Sequence, residues 1–582
     1  MTSKKSLSAK TRRLIGIVLS LTLAACGGGE SASPSNEVAN NSEGSIPGAT
    51  IDEDNACAIA DATVITNTAF SDISLSAGLC YTASSSIQDS PTARIAGGIA
   101  VADYNADGRL DFYATSGRND VGRLLEQTAD GHFTDVTIQT GIDVISAERG
   151  AIFVDINRDG WPDLISVQDG PSLLQVFANN GDGSFTDISE STGIVLSKAA
   201  FSIAAGDYDL DGDLDLFFAH WNTNRDINPL EFLWQNQGDG TFIDRSISVE
   251  IDSVTGRFVA EDPEAEIEYS FTPIFADINN DRYPDILLAS DFDTSQVLLN
   301  NSGAGFIDIT PEAINDQAGM GATVADYDND GDLDWFVSSI GDPSFTSATL
   351  SDQNSFSGNR LYENDGAGNF TAVTDEAGVR QGYWGWGSCF ADFNNDGLQD
   401  LFVVNGYNGM TEATTDTAQF ENFKTTSALL YINNGDGTFT DRATELGVLH
   451  TDMGRGLACF DYDRDGDQDM LIANSGAAPT LFRNNTFAQE NNFINIRLTG
   501  TTANVQGVGA RIYVSTAGLE QMVELQLGNN YLSQNPVEAH FGLGTSEQID
   551  TVRIVWPGLE GLVTEMTNVE SNQFLVITHP NN

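Results

Sequence analysis

The chain has 582 residues and 40 % hydrophobic content, enough to bury the core of one large repeat array or of several domains. Its 26 basic and 84 acidic residues give a formal net charge of −58, which argues against nucleic acid and anionic lipid headgroups as partners. With 5 histidines in all, imidazole chemistry has little material.

At the N-terminus Lys4, Lys5, Lys10, Arg12 and Arg13 precede an apolar run, Leu14 to Ala25, too short to span a bilayer as a helix. Residues 1–25 therefore read as a secretory signal peptide. The sequence Leu23-Ala24-Ala25-Cys26-Gly27 resembles the lipobox of bacterial lipoproteins, which implies lipidation of Cys26; an ordinary small-residue cleavage site is the alternative. Glycine rather than aspartate after the cysteine resembles lipoproteins sent on to the outer membrane. The expectation is a chain secreted across the inner membrane and touching the outer membrane through its lipid only. Residues 26–56, rich in Gly, Ser, Asn and Glu, read as a flexible tether. In that compartment Cys57 and Cys80 are expected to pair across a short loop.

The body of the chain, residues 57–487, is organised around an acidic nine-residue loop that occurs seven times. Its first, third, fifth and ninth positions are Asp103, Asn105, Asp107 and Asp111; Asp155, Asn157, Asp159 and Asp163; Asp207, Asp209, Asp211 and Asp215; Asp277, Asn279, Asp281 and Asp285; Asp326, Asp328, Asp330 and Asp334; Asp392, Asn394, Asp396 and Asp400; and Asp461, Asp463, Asp465 and Asp469. Oxygen ligands at this spacing, turned by a glycine at the sixth position, suit a hard cation such as calcium. Phe218 occupies position twelve of the third loop, where an EF-hand needs a bidentate glutamate, so that motif is excluded. In the fourth loop Arg282 replaces the glycine, which demands a left-handed backbone or a reshaped loop.

The loop starts are 52, 52, 70, 49, 66 and 69 residues apart, a repeat spacing. A strand of small residues precedes each loop, as in Ala96 to Val101, and an apolar strand such as Leu401 to Val404 follows. A third strand ends in a turn such as Asn433-Asn434-Gly435-Asp436-Gly437, and a fourth opens on an aromatic, as in Phe439-Thr440-Asp441. Four antiparallel strands in each of seven units predict an all-β, seven-bladed β-propeller. The seventh unit lacks a fourth strand in sequence, but Phe70-Ser71-Asp72 carries that pattern ahead of the first loop and is expected to close the ring. Cys389 and Cys459 lie three and two residues before their loops, on opposite faces of equivalent strands, so buried free thiols are expected, with a second disulfide as the alternative.

The ordered blocks Phe-Thr-Asp, Asp-Tyr-Asp-x-Asp-Gly-Asp-x-Asp and Asn-Asn-Gly-Asp-Gly-x-Phe resemble the FG-GAP/VCBS repeats of integrin α-type propellers over Phe70 to Asn485. That resemblance implies Ca2+ in the acidic loops, several ions and up to seven. Three longer connections, Val249 to Phe271, Gly341 to Ser357 and Tyr407 to Thr426, are either partner-binding insertions or surface elaboration. The cluster Tyr383-Trp384-Gly385-Trp386-Gly387 reads as core, with a channel lining or sugar platform as the alternative.

Residues 488–582 alternate with period two in Phe493 to Leu498, Ala510 to Val514, Gln521 to Leu525 and Val552 to Trp556, a small all-β domain. Gly507-Val508-Gly509-Ala510-Arg511, Ser533-Gln534-Asn535-Pro536 and His540-Phe541-Gly542-Leu543-Gly544 resemble the ASPIC/UnbV domain, and the mature chain as a whole resembles bacterial members of the cartilage acidic protein family. His540 has no nucleophile motif beside it and reads as a packing or hydrogen-bonding residue; no catalytic residue is assigned. The leading expectation is a calcium-binding, lipid-anchored adhesion or interaction scaffold of the cell envelope, without catalysis, its partner a protein or a glycan. An extracellular polysaccharide-acting enzyme with its site on the propeller face is the alternative, to be favoured by a shifted pair of carboxylates outside the metal loops. Assembly or transport of an envelope complex is a third.

Overall fold

The computed structural model describes residues 69–80, 93–117, 120–168, 174–196, 198–224, 232–249, 258–259, 266–341, 357–407, 422–485 and 491–581, all in one compact unit. Cys26, Cys57 and most of the three long connections lie outside the described residues. Among the described residues no helix is long and apolar enough to cross a membrane.

Among the described residues the repeat region forms seven large antiparallel sheets, six of four strands and one extended to six, and a two-stranded ribbon pairing Asp120–Val121 with Ile145–Ser146. The second sheet is typical. Its strands Glu148–Val154, Asp163–Gln168, Leu174–Asn179 and Phe185–Asp187 pair in simple order, with the acidic loop between the first two. The first three strands are buried almost throughout, because each sheet is covered on both faces by its neighbours. The fourth strand buries only its leading aromatic, as Phe185 does, while the two residues after it face solvent.

The fourth sheet gains its extra strands from connections that precede it. Trp221–Asn224 and Phe258–Val259 both pair with its long first strand, Glu266–Ala276. The segment Phe70–Asp72 pairs with Thr480–Asn484 and becomes the fourth strand of the seventh sheet, so the start and the end of the repeat region share one sheet. Three single-turn helices that the sequence reading lacks, Thr137–Thr140, Thr374–Ala377 and Ala443–Leu446, follow fourth strands and end on left-handed Gly141, Gly378 and Gly447.

Consecutive sheets share apolar layers, and the cycle returns to its start. Tyr113 and Phe153 join sheets one and two, Phe217 and Phe275 join three and four, Phe336 and Phe390 join five and six, and Leu471 with Phe112 joins seven and one. Cys389 and Cys459 correct the free-thiol expectation: they form a disulfide with Cα atoms 6.5 Å apart. The one-residue offset does send them to opposite faces of equivalent strands. Where sheets stack, opposite faces of neighbouring sheets are the ones that meet. Cys80 is also disulfide-bonded.

The C-terminal region holds two further sheets. One orders Ala539–Gly544, Asn492–Thr499 and Gln573–Thr578, the last two parallel; the other orders Leu519–Glu524, Arg511–Thr516, Gln548–Val555 and Val563–Glu570. Its apolar interior, including Ile494, Ile512 and Trp556, is continuous with that of sheets two and three.

Candidate metal centres

Each acidic loop is folded by its own carboxylates. In the third, Asp207 Oδ1 accepts the Asp211 N–H at 3.0 Å and Oδ2 accepts the Gly212 N–H at 3.0 Å. Asp215, fully buried at position nine, accepts the Asn236 N–H at 2.8 Å and the Tyr208 N–H at 3.3 Å. Two left-handed residues produce this turn. One is the sixth-position glycine (Gly212, φ 100°); the other is the fourth position, held by Leu210 at φ 57° and by Arg464 at φ 60°. The sequence reading found the first and missed the second, where Ala106, Arg158 and three asparagines complete the set.

Three loops bring acidic side chains together with ligand atoms within 4.8 Å of one another: Asp207, Asp209 and Asp215; Asp326, Asp328 and Asp334; and Asp461, Asp463 and Asp465. These are the loops with aspartate rather than asparagine at position three. Three carboxylate oxygens in the loops, Asp111 Oδ2, Asp209 Oδ1 and Asp463 Oδ1, are buried and accept no hydrogen bond. Clustered, dehydrated, all-oxygen donors with open lone pairs fit a hard divalent cation.

The electrostatics agree. Burial, then neighbouring carboxylates, pushes Asp207 up to about 8, and burial lifts Asp461 to about 8 and Asp334 to about 9. Asp215, Asp400 and Asp469 are pushed well above the usual range for the same first reason. Protons or a cation must offset this charge, and a divalent ion does so while keeping the carboxylates ionised. Some loops already hold an arginine: Arg483 reaches Asp463 at 2.8 Å and Asp465 at 3.1 Å, and Arg497 reaches Asp103 at 3.3 Å.

A second set of residues, of which only Asn433 is read in the sequence, as part of a turn, ties the loops to one another. Asn179, at the end of a third strand, donates from Nδ2 to the Tyr104 carbonyl in the loop of the preceding sheet at 2.8 Å. Asn236, Asn300, Asn364, Asn433 and Asn484 repeat this to Ile156, Tyr208, Ile278, Tyr327 and Phe393. Gln127 of the first sheet reaches Tyr462 of the seventh at 2.7 Å. The recurrence of an asparagine or glutamine at the end of each third strand was the available signal.

The C-terminal domain packs on the loop-bearing end of the sheets. His540 Nε2 pairs with Asn395 Oδ1 at 2.7 Å, the Gly544 N–H donates to the Asn395 carbonyl at 2.8 Å, and Arg464 is bound by Glu538. Burial depresses the His540 pKa to about 3, so the ring is neutral and serves as the packing and hydrogen-bonding residue expected of it. From this domain the segment Leu527 to Asn535 enters between the first strands. The Gln534 N–H donates to the Ile99 carbonyl at 2.8 Å, and Gln534 Oε1 accepts the Phe153 N–H at 2.6 Å. Beyond them lies Tyr531, fully buried, its hydroxyl donating to the Ile95 carbonyl at 2.8 Å.

The residues six before each loop start are Gly97, Arg149, Phe201, Phe271, Met320, Trp386 and Arg455. Of these, Phe201, Phe271 and Trp386 surround the Tyr531 ring at 6.2, 5.7 and 5.2 Å, and the Arg455 guanidinium lies 4.2 Å over Trp386. Trp386 and the buried Trp384 thus belong to the core, as the sequence leads one to expect.

A profile of the FG-GAP-like repeat matches residues 103–166, 155–218, 277–337, 345–403 and 425–472, and one of ASPIC and UnbV matches residues 500–582. The chain is an FG-GAP-like repeat protein carrying an ASPIC and UnbV domain. It is distantly homologous to cartilage acidic protein 1, being 26 % identical over 263 residues to the Xenopus tropicalis protein and 25 % identical over 270 residues to the human one. The matches cover 41 % and 38 % of this chain but only 38 % and 40 % of those proteins. Among solved structures, an Agrocybe aegerita lectin that recognises non-reducing terminal N-acetylglucosamine aligns with a TM-score of 0.37 and 19 % identity, over 66 % of this chain and 86 % of its own.

Proposed function

We propose that the protein is a calcium-stabilised, lipid-anchored scaffold of the cell envelope, a closed seven-bladed β-propeller whose FG-GAP-like loops hold the ions beneath the ASPIC and UnbV domain. The observation that carries this reading is that Asp209 Oδ1 and Asp463 Oδ1, buried and accepting no hydrogen bond, lie within converging acidic loops. The amide bonds from each sheet to its predecessor, closed by Gln127 to Tyr462, support a ring of seven. In this reading Asp207, Asp209, Asp211 and Asp215, with counterparts in other loops, supply oxygen ligands. Bound calcium cancels the clustered charge and fixes each loop against its sheet, adding folding free energy that grows with ion concentration. The scaffold presents its long connections to a protein or glycan partner and performs no catalysis of its own.

Asp291 and Asp316, outside the loops, are raised to about 7 and about 6, the signature set for the enzyme alternative. Asp316, however, is 1 % exposed, and its oxygens accept the Ser295 and Tyr362 hydroxyls at 2.5 and 3.0 Å, which favours a structural acid over a catalytic one. The scaffold reading is tested by differential scanning calorimetry of calcium-loaded full-length protein. Excess chelator is expected to lower Tm and added calcium to restore it; an unchanged melt overturns the reading.

A further inference from the structure

The fourth acidic loop departs from its counterparts in a way that the calcium reading leaves unexplained. Arg282 stands at the glycine position, yet the loop keeps its shape. The backbone adopts φ 78°, and the Arg282 N–H donates to Asp277 Oδ2 at 2.9 Å, as the glycine N–H does in the third loop. What differs is the company. Arg511 of the ASPIC and UnbV domain, 8 % exposed, places its guanidinium against the loop, donating from Nη1 to Asn280 Oδ1 and from Nη2 to the Asp277 carbonyl. Nη2 also lies 3.7 Å from Asp277 Oδ2.

Glu524 of the same domain completes the arrangement. It binds Arg511 Nε at 2.8 Å and accepts the Asp277 N–H at 3.2 Å. Arg282 in turn reaches out of the loop and donates to the Leu559 carbonyl at 2.9 Å. Inside the loop, Asn279 donates from Nδ2 to Asp281 Oδ2 at 3.0 Å and so occupies an oxygen that a cation would need. The loop thus carries three acids, no fourth at position three, and two arginines at its edge.

We propose that Arg511 is the resident cation of the fourth loop, which has exchanged a divalent ion for a guanidinium and serves as a docking socket for the ASPIC and UnbV domain. Arg497 at Asp103 and Arg483 at Asp463 have side chains 43 % and 39 % exposed and can swing into solvent, whereas the Arg511 side chain is 9 % exposed and fixed; a divalent ion at Asp277 would face that dehydrated guanidinium directly, so the two occupants exclude one another. The planar fork suits the task. It satisfies a carbonyl, an amide oxygen and a carboxylate at once, which a spherical ion would draw to one centre. The inference rests on calcium occupying the other loops.

The test counts calcium bound per full-length chain by equilibrium dialysis. Asp211→Asn in the third loop is expected to lower the count by one, whereas Asp281→Asn in the fourth leaves it unchanged. Arg511→Gln is expected to raise the count by one, and adding Asp281→Asn to it removes that gain. A loss of one ion on Asp281→Asn alone overturns the proposal. If Asp211→Asn also changes nothing, the calcium reading falls and takes this inference with it. The comparison of the two aspartate variants leaves Arg511 untouched, so it stands even where Arg511→Gln disturbs folding.

Discussion

What surrounds an aspartate in this protein decides what it does. At the first loop position it folds the loop through backbone amides; at the ninth it is buried and bridges strands; outside the loops it can be a buried core acid held by hydroxyl groups, as Asp316 is. Burial pushes Asp316 up to about 6, against hydrogen bonds from Ser295 and Tyr362 and the charge of Arg360. Its folded pKa therefore lies above its unfolded one. The stability it contributes is present below about pH 4 and lost as pH rises through about 6. Melting a calcium-saturated pH series from 4 to 7 is expected to show the wild type losing stability relative to Asp316→Asn, by up to about 3 kcal/mol for a shift of this size.

At the scale of elements, the stacked sheets turn local patterns into contacts. Cys389 and Cys459, 70 residues apart, join the first strands of the sixth and seventh sheets across the shared apolar layer. Closing a loop of that length constrains the unfolded chain, so the double change of Cys389 and Cys459 to serine is expected to cost about 2–4 kcal/mol in denaturant unfolding. The seven loops, the strand after each, the aromatic fourth strands and the partnership of Phe70 with the last sheet were legible in the sequence, because each follows from turn chemistry and period-two burial. The amide links were not. An asparagine at the mouth of a hairpin turn satisfies a turn rule completely, so nothing local shows that its side chain also reaches the neighbouring sheet.

For the molecule as a whole, the consequential feature is the segment that joins the two domains at the first strands. Glycines five residues before the loop starts make room for it: a Cβ at Gly98 would meet the Leu532 carbonyl oxygen at 2.2 Å, and one at Gly456 the Ser533 hydroxyl at 2.0 Å. Tyr531 is the tip of this insertion, held by three aromatic rings and a buried hydrogen bond. Tyr531→Ala is expected to cost about 3–5 kcal/mol and to speed hydrogen exchange across residues 529–535, while Tyr531→Phe, which loses only the hydroxyl bond, costs about 1–2 kcal/mol.

The sequence by itself determined the repeat, the acidic loops and their register, since these depend on residues within nine positions of one another and on backbone preferences that act locally. The tertiary structure decided the rest. It paired Cys389 with Cys459, linked Asn179 and its counterparts to neighbouring loops, and buried Tyr531 among the first strands. It also brought Arg511 and Glu524 to Asp277 across more than two hundred positions. The physical reason is common to all four: which faces meet is fixed by how the sheets stack and how the C-terminal domain packs on them, and no local preference of the chain encodes that.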